Sequence, residues 1–271
     1  MPKIERRPKK IASATAILLA ASIVLVGFLR VGVGAALDDY IFFGFLVALF
    51  PIALLNYVDF RWRKAVDERL PDLFRSIVQA QETGMSLHRA LEEAAKRDYG
   101  PLTSELKKMT AQISWGANFE EALLAFGKRV GTVLTQRLVP LIIEANHAGG
   151  QAEKVFGPMG KFIQTTILLE KERRAQTRPY IAIIYVALFV FLFTMVILFK
   201  TFFTNIDGTA LFSMSTISLM NLQRIFLHLA IIQGFFGGLV AGKMGEGSVT
   251  AGLKHSLIMM LLGYVALKFF L

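Results

Sequence analysis

The sequence predicts an all-α, polytopic membrane protein with about five transmembrane helices and a cytosolic bundle of about six helices. Three features carry that expectation. Apolar residues make up 54% of the 271 residues and gather into long runs instead of spreading evenly. Lys and Arg concentrate between those runs. A central stretch repeats apolar residues at helical spacing, with no strand-like alternation.

A bilayer core roughly 30 Å thick takes about 20 apolar residues in helical form. Runs that meet or approach this length cover residues 11–29, 40–58, 180–199, 225–242 and 256–271. The run 180–199 carries no charge, 225–242 has only His228 and Gln233 as notable polar side chains, and 256–271 is short with Lys268 near its end. A basic tail before an apolar run also resembles a secretory signal. Residues 11–29 exceed the roughly 7 to 15 residues of a signal core, and the only small-residue exit, Gly34 to Ala36, is a weak cleavage site, so the segment reads as a retained span.

Charge sets the topology. Lys3, Arg6, Arg7, Lys9 and Lys10 precede the first run, and nineteen more basic residues fall in 59–178. Cytoplasmic loops carry such excesses. With Lys243 and Lys254 also inside, only Arg30, Lys200, Arg224 and Lys268 remain outside or at that interface, which fits five spans with a cytoplasmic N-terminus. Three parts result: a basic tail and two spans over 1–58, a cytosolic helical domain over 59–178, and a membrane region of about three helices over 179–271. The net charge of +10 sits beside the spans, where it orients the chain and meets anionic lipid, and no nucleic-acid reading motif accompanies it. The chain has no cysteine, which removes disulfides, thiolate metal sites and cysteine nucleophiles together.

Within 59–178, Leu70, Leu73, Phe74, Ile77 and Val78 occupy one face of a helix. Leu102, Leu106, Met109 and Ile113 make a second stripe, and Phe119, Ala122, Leu123 and Phe126 a third. Val155, Phe156, Met159, Phe162, Ile163 and Ile167 make a fourth. The turns between them repeat. Gly84-Met85-Ser86-Leu87 to Leu91 matches Gly116-Ala117-Asn118-Phe119 to Leu123 as Gly-x-(Ser/Asn)-apolar-x-x-Ala-Leu, with the glycines 32 residues apart. Each glycine is expected to end one helix in the left-handed conformation, and Ser86 or Asn118 to cap the next. Glu121 stands where a capping-box partner would. A degraded third copy begins at Gly149-Gly150-Gln151. Gly100-Pro101 is another stop and start, and Pro140 should kink or break its helix.

Catalytic chemistry finds no support. The nearest approach to a phosphate loop, Gly157-Pro158-Met159-Gly160-Lys161-Phe162, lacks the spacing and the hydroxyl. His88, His147, His228 and His255 are scattered without zinc-ligand spacing. Asp38, Asp39 and Asp207 are expected in loops, which argues against an intramembrane aspartyl protease. The rival to a non-enzymatic reading is a small-solute transporter or channel component, whose candidate groups are His228 and Lys268. Against it, Lys268 can snorkel and five spans show no inverted repeat. Gly234, Gly238 and Gly242 remove side chains from one stripe of a span and predict close helix packing, within the protein or against a partner's span.

The turns at Gly84, Gly116 and Gly149-Gly150, the segment Glu144-Ala145-Asn146-His147-Ala148-Gly149-Gly150 and the helix entering the membrane at Pro179 resemble the type II secretion F-domain family over roughly 67–199. This family comprises platform proteins of secretion systems, type IV pili, Tad pili and archaella. The stretch from Gly242 to Gly247 followed by Ala251-Gly252-Leu253-Lys254-His255 resembles archaeal members. Many bacterial members carry Gly-Glu-x-x-Gly at the third turn, where this chain has Gly149-Gly150-Gln151-Ala152-Glu153. Several relatives hold two copies of the domain and this chain one, which implies pairing with itself or a sister subunit. The resemblance further implies a non-enzymatic platform in the cell membrane that couples a hexameric secretion ATPase to insertion of pilin-like subunits, without a cofactor. Arg61, Arg63, Lys64, Lys243, Glu246 and Lys254 are the candidates for docking the ATPase.

Overall fold

The computed structural model describes residues 6–32, 34–147, 152–203 and 219–270. Among them the secondary structure is helical: α1 Arg6–Val31, α2 Ala35–Glu82, α3 Leu87–Ala95, α4 Pro101–Ser114, α5 Phe119–Val130, α6 Val133–His147, α7 Ala152–Leu198, α8 Leu219–Glu246 and α9 Val249–Phe270. A π-helical turn, Phe199–Phe203, follows α7. The chain divides into two compact units, one of residues 58–173 and the other of the described residues up to Tyr57 and from Arg174 onward. Among the described residues, five helices are long and apolar enough to cross a membrane: α1, α2, α7, α8 and α9.

The first unit is a bundle of six helical segments, the later part of α2, α3 to α6, and the start of α7. The stripes form its core. Leu70, Leu73, Phe74 and Ile77 are buried with Leu102, Leu106 and Met109 and with Phe119, Ala122, Leu123 and Phe126. Of the fourth stripe's described side chains, Met159 and Ile163 are buried and Ile167 partly so, while Phe162 is 52% exposed. Steps of four residues keep positions 159, 163 and 167 on one face, and Phe162 lies about a quarter turn off it. Val155 and Phe156 carry no side-chain description. The two tryptophans differ sharply: Trp62 is 3% exposed in the core, and Trp115, at the end of α4, is 90% exposed.

The turns follow from cap chemistry. Gly84 and Gly116 take φ of +84° and +91°, a region closed to most side chains. Ser86 accepts from the Arg89 N–H, and Asn118 accepts at 2.9 Å from the Glu120 N–H, one position short of the capping-box arrangement expected with Glu121. The third turn, at Gly149-Gly150, lies outside the described residues. Helix α6 runs unbroken through Pro140. The carbonyl that Pro140 leaves without its N–H belongs to Gln136, and both residues are on the exposed face, while Leu138, Val139 and Ile142 hold the buried face. A polar tie joins α4 to α5: Glu105, 6% exposed, accepts from Lys108 at 3.0 Å and from Arg129 at 2.9 Å.

The second unit packs through small residues. A Cβ on Gly27 would lie 2.4 Å from the Tyr40 ring, and one on Gly44 3.1 Å from the Ala20 carbonyl oxygen, so α1 and α2 approach closely. Leu188, Leu192, Met195 and Phe199 at the end of α7 pack with Phe226 and Ala230 of α8 and with Met259 and Leu267 of α9. Phe42 of α2 stacks on Tyr264 of α9 with centroids 4.2 Å apart. Helix α9 begins at Val249 and α8 at Leu219, both earlier than their apolar runs alone indicated. Residues 204–218, Asp207 among them, lie outside the described residues.

Candidate functional site

No group of three or more His, Cys, Asp or Glu residues is placed to hold a metal among the described residues. The histidines are dispersed. His88 lies 4.6 Å from the Phe119 ring, His147 meets Glu120, His228 lies near Asp38, and His255 Nδ1 is 2.9 Å from the Tyr185 hydroxyl. The Glu120 carboxylate raises His147 above its ordinary value by hydrogen bonding and by charge. The enclosed space in the bundle core is an apolar void of about 20 Å³ between Phe74, Leu91, Leu106 and Leu123, room for one water and no ligand.

The basic residues of α2 have different surroundings. Arg63, its side chain 43% exposed, donates to Asp59 at 3.0 Å and to the carbonyl of Gly131, the left-handed residue that ends α5. It therefore ties α2 to the α5–α6 turn. Lys64 lies 3.9 Å from Glu68 with its side chain 41% exposed, and Arg61 is exposed. In the other unit, Lys254 pairs with Glu246 and sits 4.5 Å over the Tyr57 ring, while Lys243 is exposed. Of the six docking candidates, Arg61 and Lys243 are exposed, and Arg63 and Lys64 expose 43% and 41% of their side chains.

At the opposite ends of α8 and α9 the structure assembles a charge cluster around two aspartates that sequence reasoning placed in loops. Asp38 lies in the first turn of α2 and Asp39 follows it in the same helix. Asp38, 8% exposed, accepts from Arg224 at 2.6 and 3.0 Å, with His228 at 3.7 Å. Asp39 accepts from Lys268 at 2.7 and 2.9 Å and from the Tyr264 hydroxyl at 3.0 Å. Charge alternation had assigned the 30–39 loop, Arg224 and Lys268 to one side of the membrane, and that shared side was the available signal for the pairing. Of the two groups that recommended a transporter, Lys268 is paired with Asp39 and His228 lies 3.7 Å from Asp38.

The glycine stripe of α8 faces α9. A Cβ on Gly234 would lie 2.9 Å from the Met259 carbonyl carbon, one on Gly238 2.1 Å from the Ser256 nitrogen, and one on Gly242 2.0 Å from the Gly252 Cα. Ser256, fully buried, donates at 2.7 Å to the Phe235 carbonyl. Backbones in this contact leave no room for another helix, so the stripe is occupied within the protein.

The family model described as "Type II secretion system (T2SS), protein F" matches residues 63–199. An uncharacterized protein of Methanocaldococcus jannaschii is 26% identical over 237 residues, a match that covers 86% of this chain and 38% of that protein. The chain therefore spans well under half the length of this relative. No solved structure matches. With a family model covering more than half of the chain, from the bundle into the third span, and five helices able to cross a membrane, this protein belongs to the type II secretion system protein F family.

Proposed function

We propose that the protein is a non-enzymatic membrane platform for assembly of a type IV pilus-like filament or secretion pseudopilus, coupling a cytosolic secretion ATPase to the insertion of pilin-like subunits. The observation that carries this reading is the family match, which covers the six-segment bundle and continues into the apolar part of α7. A bundle with no catalytic constellation among its described residues is suited to transmitting movement, with the energy supplied by the partner. The N-terminus and the bundle face the cytoplasm, as the basic tail and the nineteen basic residues of 59–178 favour. The likeness to an archaeal protein and the segment from Gly242 to His255 support an archaellum-like or Tad-like machine.

Docking of the ATPase, a hexamer, is electrostatic and uses Arg61, Lys64 and Lys243. Crosslinking in native membranes with a tagged chain, followed by mass spectrometry, tests the proposal. Recovery of a secretion ATPase and pilin-like proteins is the expected result, with selective loss of the ATPase from an Arg61→Glu, Lys64→Glu variant. Absence of both partners, together with solute movement into vesicles, would replace the platform by the transporter.

A further inference from the structure

Gln233 lies near the middle of α8, nine residues after Arg224 and thirteen before Glu246. At 1.5 Å per residue those polar ends are about 13 and 20 Å away, which places the amide deep in the hydrocarbon layer. The side chain is exposed on the surface of its unit and has no hydrogen-bond partner among the described residues. Several other polar side chains of the spans are satisfied internally. Ser22 and Thr194 donate to carbonyls about one turn back, and Ser256 donates to Phe235. An unpaired amide in lipid is costly, and membrane helices relieve it by bonding across to another helix.

Gln233 borders a continuous apolar stripe, Ile225, Leu229, Ile232, Phe236 and Val240, each between 43% and 60% exposed. The glycine face of α8 is already covered by α9, so this stripe is the face left for association. We propose that it is a transmembrane interface between two copies of the chain, with the two Gln233 amides bonded to each other across a two-fold axis. An amide is self-complementary: each N–H donates to the image's carbonyl while its own carbonyl accepts. Two copies inserted in the same orientation hold residue 233 at the same depth, so the partner group is always in register. A different protein would have to supply a polar group at that depth. The proposal goes beyond the platform reading and stands or falls without it.

The absence of cysteine makes the test clean. Single variants Ile232→Cys and Phe236→Cys of the full chain, oxidised in native membranes, should give a disulfide-linked homodimer, and Phe193→Cys on the exposed face of α7 should not. In lipid vesicles, energy transfer between labelled copies should show that Gln233→Leu weakens self-association roughly three- to thirtyfold, the range of interhelical hydrogen bonds in membranes, while Gln233→Asn retains most of it. No dimer at 232 and 236, equal crosslinking at 193, capture of a different polypeptide, or unchanged association of Gln233→Leu would each overturn the proposal. None of these readouts depends on recovery of an ATPase.

Discussion

Replacing Gly238 with alanine adds one methyl group where there is no space for it. Its carbon would lie 2.1 Å from the Ser256 nitrogen and 2.2 Å from the Ser256 Cα, against the 3.4 Å at which ordinary contact begins. The obstacle is backbone, so no rotamer change relieves it, and α9 would have to withdraw by about 1.3 Å. A gap of that order forfeits much of the dispersion along the seam, and overpacking costs about 1 to 3 kcal/mol even where side chains can adjust. The Ser256 bond to the Phe235 carbonyl would stretch beyond hydrogen-bonding distance, adding about 1 kcal/mol. Alanine regains about 1 kcal/mol of helix propensity, which leaves a net loss of about 1 to 3 kcal/mol. The assay is equilibrium unfolding of the purified chain in mixed micelles, titrated with a denaturing detergent and followed by helicity. Gly157→Ala on α7 is the control: nothing lies within 4 Å of its Cβ, and it should be neutral or stabilising by up to about 1 kcal/mol. If Gly238→Ala unfolds within about 0.5 kcal/mol of the unmodified chain, the close backbone packing of α8 on α9 is wrong.

Arg63→Ala should destabilise the bundle by about 1 kcal/mol, a charged-donor hydrogen bond discounted for a side chain 43% exposed, and should speed proteolytic cleavage at the α5–α6 turn. Burial pushes the Glu105 carboxyl up, but hydrogen bonds and charge from Lys108 and Arg129 outweigh it and leave it below the 4.5 of a free Glu. A group depressed on folding stabilises above its unfolded value, so this contribution is lost as pH falls below about 4.5, and Glu105→Gln should flatten the acid limb of a pH-dependent melting curve. His147 runs the other way. Raised above 6.5 by Glu120, it stabilises fully below that value and ceases to do so as pH rises through its folded value. Ring-proton NMR should find His147 titrating above 6.5 in the native chain and nearer to it in a Glu120→Gln variant.

What could be read from the chain was whatever repeats locally. Leu70, Leu73, Phe74 and Ile77 announce a buried face because a helix brings them together whatever else it touches. Gly84 and Gly116 announce turns because few other residues tolerate their backbone angles. The fourth stripe failed at Phe162, whose spacing fits a helix but whose direction is settled by which arc of α7 meets α2. The pairing of Asp38 with Arg224 spans 186 residues, and that of Asp39 with Lys268 spans 229. No local period encodes such distances. The tie made by Arg63 was hidden for a related reason: beside Arg61 and Lys64 it looks like any surface charge, and nothing local reveals that it bonds the Gly131 carbonyl, 68 residues on. Gln233 was visible as a polar residue in a span, but that it faces outward unpaired became legible only once α9 was seen on the other side.

The contrast between Trp62 and Trp115 equips the protein with its own optical instrument. With only 2 tryptophans in the chain, one in the bundle core and one almost wholly in water, the native emission spectrum is the sum of a blue-shifted and a red-shifted component. Acrylamide should extinguish the red component first and leave the blue one until the bundle opens. A partner that settles over the end of α4 would protect the first, a loosening of the core would expose the second, and the two events could be followed at once without a label.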